Sequence, residues 1–241
     1  MTAPAGGIQL SLIPSTFDLA AFDQMFRHSA AGLTLWTSAP AIVIEQRVLQ
    51  FTEVNAATYQ ALDETLTPAD VDSVAGDMRA GYDILTAGRL GPPASVISQE
   101  AAAGTAVTPR RDRTIVVTRQ RGLTAATGFW GYARWSTTAD GEVTSAVIML
   151  DRDFEVSASV FHRSLRMHEL GHALGCQHIS TGRLSVMNSN ARTEPNDFDR
   201  QSARLASLRP TGNRTPDIDP ASHSATTAGR TSQALVWHGA H

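Results

Sequence analysis

The segment His168-Glu169-Leu170-Gly171-His172-Ala173-Leu174-Gly175-Cys176-Gln177-His178 constrains this chain more than any other stretch. Residues four apart on an α-helix differ by only about 40° in direction, so a helix here aims His168 and His172 at one point. Glu169 projects from the next position round, close enough to reach a water at that point without being a ligand. Glycine alone enters the left-handed conformation at little cost, so Gly175 is a natural helix stop. The chain can then reverse and bring in His178 as a third imidazole. Three neutral imidazoles are a ligand set for zinc that leaves a fourth position open to water, the mark of a catalytic rather than a structural site. The five specified positions match by chance on the order of once in ten thousand sequences of this length.

Composition sets the frame for that segment. With 241 residues and 42% hydrophobic content, the chain can bury a sizeable core in one large domain or two small ones. A net charge of −3 gives no reason to expect nucleic acid or an anionic membrane as partner. No apolar run approaches the roughly 20 residues that span a bilayer. The lone cysteine, Cys176, excludes an internal disulfide framework. Residues 1–14, rich in Ala, Gly and Pro, lack the basic and apolar regions of a secretory signal.

Periodicity predicts a mixed α and β chain. Thr16 to Ala30 has one apolar helix face, and Ile42-Val43-Ile44 and Val48-Leu49-Gln50-Phe51 read as strand. Pro68 after Thr67 opens a helix that ends near Gly88, with Asp70 and Asp72 favourable at its start. Four strands are expected after Gly91-Pro92-Pro93. They are Ser95–Ser98, a doubly buried Thr114–Thr118, an aromatic edge strand Phe129–Trp135, and Val143–Leu150 entered through Asp140-Gly141. A helix over Ser157–Leu174 then carries Val160, Met167, Leu170 and Leu174 on one stripe, with Phe161, His168 and His172 on another side. Asn196 or Asp197 caps a last helix running to about Leu208. From Pro210 the chain is polar and reads as largely disordered, although its last residues, around Leu235-Val236-Trp237, can dock as a short strand.

The spacing H-E-x-x-H-x-x-G-x-x-H, followed by Ser185-Val186-Met187, resembles the metzincin zinc metallopeptidases, and within them the matrixins most. The resemblance covers about residues 41–209, with diagnostic identity confined to 168–187. It implies an α+β (α/β-like) domain, with a twisted, mostly parallel mixed sheet and one antiparallel edge strand. A long active-site helix, a methionine turn and a C-terminal helix complete that domain. It also implies that His168, His172 and His178 bind one catalytic Zn2+, and that Glu169 is general base and later proton donor. Met187 would floor the site from the methionine turn, with Gly175 as the helix stop. The edge strand, here Phe129–Trp135, would pair with an extended protein or peptide substrate. Secretion is expected on the same ground. Residues 1–40 would then be an accessory or pro-like segment, 41–209 the peptidase domain, and 210–241 the tail. Ser189 stands where astacins and serralysins place a tyrosine, and no cysteine upstream of Cys176 could block the metal as matrixin zymogens do.

Other candidates have plainer readings. Cys176 is expected to be a small buried side chain rather than a fourth ligand, and His162 a surface histidine. His28, His223, His238 and His241 have no partner at ligand spacing. Arg110, Arg111, Arg113, Arg119 and Arg121 read as a solvated cluster at strand ends. Asp151 and Asp153 could bind a structural Ca2+ as in matrixins, yet two carboxylates after a strand are ordinary loop residues. Phe129, Trp130, Tyr132 and Trp135 either shape the cleft or pack the core. Two functions follow: a zinc endopeptidase, favoured by the presence of Glu169, or a zinc-containing module that binds proteins or peptides without cleaving them. The sequence carries no signal for an oligomeric state.

Overall fold

A computed structural model describes residues 16–27, 32–190, 192–214 and 231–235, the last as backbone. His28, His223, His238, His241 and the lead before residue 15 lie outside the described residues. The β-branched runs become strands and the 3.6-residue repeats become helices, giving a mixed α+β fold around one curled sheet.

Strand β1 (Ala41–Gln50) fuses the two short apolar runs expected around 42–51 into one element. Its neighbours are β2 (Tyr59–Thr65), which pairs antiparallel, and β3 (Ser95–Gln99) and β5 (Thr114–Arg121), which pair parallel. The register with β5 shifts between Ile44 and Val48. The two-residue strand β4 (Ala106–Val107) extends the sheet beyond β2. On the other side β7 (Val143–Asp151) lies parallel to β5. It is antiparallel to β6 (Gly131–Thr137), which it faces from Gly131↔Leu150 to Thr137↔Val143. Strand β8 (Thr231–Leu235) then pairs antiparallel with β6, so the order is β4-β2-β1-β5-β7-β6-β8 with β3 also on β1.

The aromatic strand expected at 129–135 is thus antiparallel as foreseen, but it is not an edge. An edge strand carries a row of unpaired N–H and C=O groups, and the chain's own residues 231–235 satisfy them. Strands β2 and β4 escape sequence reading because Tyr59-Gln60-Ala61-Leu62-Asp63-Glu64-Thr65 mixes one buried face with Asp and Glu, which are poor strand formers.

The helices are α1 (Leu19–Arg27), α2 (Pro68–Thr86), α3 (Leu123–Thr127), α4 (Arg152–Glu155), α5 (His162–Ala173) and α6 (Asp197–Ala206). Two have complete capping boxes: Thr67 with Asp70 on α2, and Asn196 with Asp199 on α6. Helix α5 starts five residues later than periodicity suggested. Ser157 and Ser159 accept hydrogen bonds from the amides of Ser159 and Phe161 and hold a turn there. Val160 consequently precedes the helix and is 84% exposed rather than part of its stripe. Leu208, the expected end of the last helix, lies beyond α6 and is exposed too.

The main core joins the inner face of the sheet to α1, α2, α5 and α6. Phe22, Met25 and Phe26 of α1 and Leu33, Leu35 and Trp36 of the following segment belong to that core. A smaller apolar cluster, with Leu49, Tyr59, Tyr132 and Met149, covers the opposite face. No helix among the described residues is long and apolar enough to cross a membrane.

Candidate metal centre

Helix α5 sets the geometry. His168 and His172 lie one turn apart, and both are fully buried. The helix ends where the Gly175 backbone turns to φ 101°, and a Cβ there would stand 2.2 Å from the carbonyl oxygen of Thr34. Only glycine allows both the turn and this approach. The Trp36 indole N–H donates to Ala173 O at 2.9 Å and pins the same end of the helix. Beyond the turn the Gln177 amide donates to Met25 O of α1 at 2.8 Å, which sets the half-buried His178 back over the helix.

The three Nε2 atoms converge. His168 and His178 are 3.1 Å apart, His172 and His178 3.0 Å, and His168 and His172 3.2 Å. What they can do follows from the other ring nitrogens. His168 Nδ1 stands 2.6 Å from Val186 O, and His172 Nδ1 stands 2.8 Å from Cys176 O. A carbonyl oxygen only accepts, so both Nδ1 atoms carry the proton and donate it. The facing Nε2 atoms of these two rings are then acceptors 3.2 Å apart, and both lie within 3.1 Å of His178 Nε2. Either a proton on His178 or a cation has to sit among them. Burial holds both imidazoles neutral: the pKa of His168 is pushed down to about 3 and that of His172 well below the usual range, with nearby histidines adding to each effect. This donor set could hold a metal ion, and the carbonyls that fix the tautomers are the outer partners such a site needs.

Beside this cluster lies Glu169. Its side chain is fully buried, and neither carboxylate oxygen has a hydrogen-bond partner among the described residues. Burial raises its pKa well above that of an ordinary glutamate. The carboxylate rests on β6, where a Cβ on Gly131 would stand 2.6 Å from Glu169 Oε1. Residues of one parity on β6 build this wall, for Trp135 lies parallel to the His172 ring at 6.3 Å between centroids. Tyr132, of the opposite parity, belongs to the cluster on the far face. The four aromatics near 129–135 thus divide, with Trp135 at the histidines, Phe129 and Tyr132 in packing, and Trp130 stacked on Phe154 at 4.6 Å.

Met187 lies beneath the helix, and a Cβ on Gly171 would meet its Sδ at 2.3 Å. The turn bearing it is held by Asp199 of α6, which accepts hydrogen bonds from Ser185 Oγ–H and from the Val186 amide at 3.2 Å. Val186 O in turn accepts the hydrogen bond of His168 Nδ1–H, so α6 is linked to that ring through the turn. Asp199, Gly131 and Trp135 lie outside the local motif, and no spacing in the sequence marks them. Burial raises the Asp199 pKa despite those hydrogen bonds.

The remaining candidates take structural roles. Cys176 is buried, and burial pushes its thiol pKa well up, as befits a packed side chain. His162 is partly buried, with Nε2 2.9 Å from Phe154 O, rather than a free surface ring. Asp151 accepts hydrogen bonds from the amides of Phe154 at 2.8 Å and Thr124 at 2.9 Å, and Asp153 pairs with Arg152 at the surface. These two carboxylates form a helix cap and a surface pair rather than an oxygen cage. Arg119 departs from the solvated cluster expected of it: it is 3% exposed, and its guanidinium lies 2.9 Å from Glu155. No family model matches the chain, and no curated protein matches its sequence.

Proposed function

We propose that this chain is a zinc-dependent endopeptidase of the metzincin type that hydrolyses peptide bonds in extended polypeptides. One observation carries the reading: three imidazole Nε2 atoms converge beside a buried carboxylate that has no hydrogen-bond partner among the described residues. The strand order β3-β1-β5-β7-β6 with β6 reversed, and the methionine packed under α5, support the metzincin assignment. His168, His172 and His178 would hold the ion. When bound, a zinc ion on three neutral imidazoles supplies Lewis acidity towards a carbonyl and lowers the pKa of water.

The chain's own residues do the rest. Glu169 takes the proton of the attacking water and passes it to the departing amine, a role that requires accepting oxygens free of protein donors. The carbonyls of Val186 and Cys176 keep the ligand rings in one tautomer and one orientation. Met187 packs against Gly171 beneath the helix, and Trp135 lays apolar surface alongside the His172 ring.

The test is zinc content together with cleavage of casein or gelatin by the wild type and by Glu169→Ala. We expect about one zinc per chain in both proteins, and a loss of cleavage in the variant of about 10²- to 10⁴-fold. Equal zinc without cleavage across a broad peptide library would leave the peptide-binding module instead. Absence of zinc from both would overturn the reading altogether.

A further inference from the structure

Strand β6 forms one wall of the candidate centre: Gly131 rests against Glu169, and Trp135 lies parallel to His172. One edge of β6 is filled by β7. Its other edge is filled by Thr231–Leu235, in the register Ala133↔Leu235, Trp135↔Gln233 and Thr137↔Thr231. The direction matters. β8 begins opposite Thr137 and ends opposite Ala133, two positions short of Gly131, so it runs towards the buried carboxylate.

A polypeptide cleaved at Glu169 has to lie extended there, and an extended peptide obtains its main-chain hydrogen bonds by adding to a sheet edge. That edge admits one strand at a time, because neighbouring strands sit about 4.8 Å apart. Thr231-Ser232-Gln233-Ala234-Leu235 has no charge, proline or glycine, the features that keep a strand from joining an edge. Residues 215–230 connect it to Arg214. Fully extended, that connection reaches on the order of 50 Å, ample for a return to the sheet.

We propose that Thr231–Leu235 is a tethered strand occupying the edge that a peptide substrate uses, so that the intact chain restrains its own activity. The proposal rests on the endopeptidase reading. The substrate then competes with a segment whose effective concentration is set by its tether, which raises KM and leaves kcat unchanged.

Three zinc-loaded proteins test this: the full chain, a chain ending at Arg214, and the full chain carrying Gln233→Pro and Ala234→Pro. Successive amides of a strand point to opposite edges, so one of the two prolines must remove a donor from the β6 ladder. KM and kcat are read on an internally quenched peptide, and hydrogen exchange is read at the amides of residues 133–137. Both altered chains should show KM lowered roughly tenfold with kcat retained, the change for a strand docked about nine-tenths of the time. Exchange at 133–137 should quicken in both. Equal KM in all three proteins, or unchanged exchange, overturns the proposal while the peptidase reading stands. Zinc in all three with cleavage by none overturns the peptidase reading, and the tethered competitor with it.

Discussion

At Gly131 a single methyl group would stand 2.6 Å from Glu169 Oε1 and 2.9 Å from its Cδ. The carboxylate is the end of a flexible side chain, so Gly131→Ala should fold, with the carboxylate pushed off β6 and away from the imidazoles. A displacement near 1 Å of a catalytic group costs about a hundredfold in rate. We expect that fall in kcat with zinc still near one per chain, read by steady-state kinetics and metal analysis on the same sample. Unchanged kcat would mean that the present position of Glu169 is not the working one. This case also marks what was legible at the scale of single residues. The three histidines, Glu169 and Gly175 could be read because helix geometry relates residues a few positions apart. Gly131 and Asp199 could not, and Trp135 only as one of four aromatics that either shape the cleft or pack the core. Their roles arise from contacts across 13 or more residues that no local spacing encodes.

Between elements, a buried electrostatic tie holds the histidine helix to its surroundings. Arg166 of α5 donates to Glu155 of α4 at 2.7 Å and to Asp77 of α2 at 2.9 Å, and Arg119 of β5 reaches the same Glu155. Removing Arg166 leaves Glu155 with Arg119 and Asp77 with Arg163, a loss towards the lower end of the about 3–5 kcal/mol that a broken buried pair costs. Arg166→Met should therefore lower Tm by about 10 °C in a chain of this size, measured by thermal denaturation with zinc present. A shift of only a degree or two would show that solvent screens the network as it does a surface pair. Here too legibility follows physics. Elements with strong periodicity and caps, β5, β7, α2 and α6, were readable close to their true limits. Arg119 was misread because its neighbours Arg110, Arg111, Arg113 and Arg121 suggest a solvated cluster, while its partner Glu155 comes 36 residues later. The outer partner of β6 was equally hidden: a strand announces its own pattern, but not which distant segment will fill its edge.

On the scale of the whole molecule, the centre is where separate parts of the chain close on one another. Helix α1 fixes Gln177, the segment at Thr34–Trp36 fixes the end of α5, and α6 fixes the turn that orients His168. The folded chain alone brings lone pairs together at 3.2 Å, whereas the unfolded chain leaves three histidines apart. A metal held by those rings would therefore be coupled to folding, and its binding free energy would become stability. A ligand that binds only the folded state stabilises it by about 4 kcal/mol at a thousand times its Kd. For this chain length that corresponds to roughly 10 °C in Tm. Thermal scans at rising free zinc should show Tm increasing with the logarithm of concentration, and a chelator should reverse the gain. Glu169→Ala should keep this dependence, since Glu169 holds no metal in the proposed arrangement, while His172→Ala should lose most of it. A wild type whose Tm ignores zinc would separate the imidazole cluster from metal binding, and a proton on His178 would then be what sits among its acceptors.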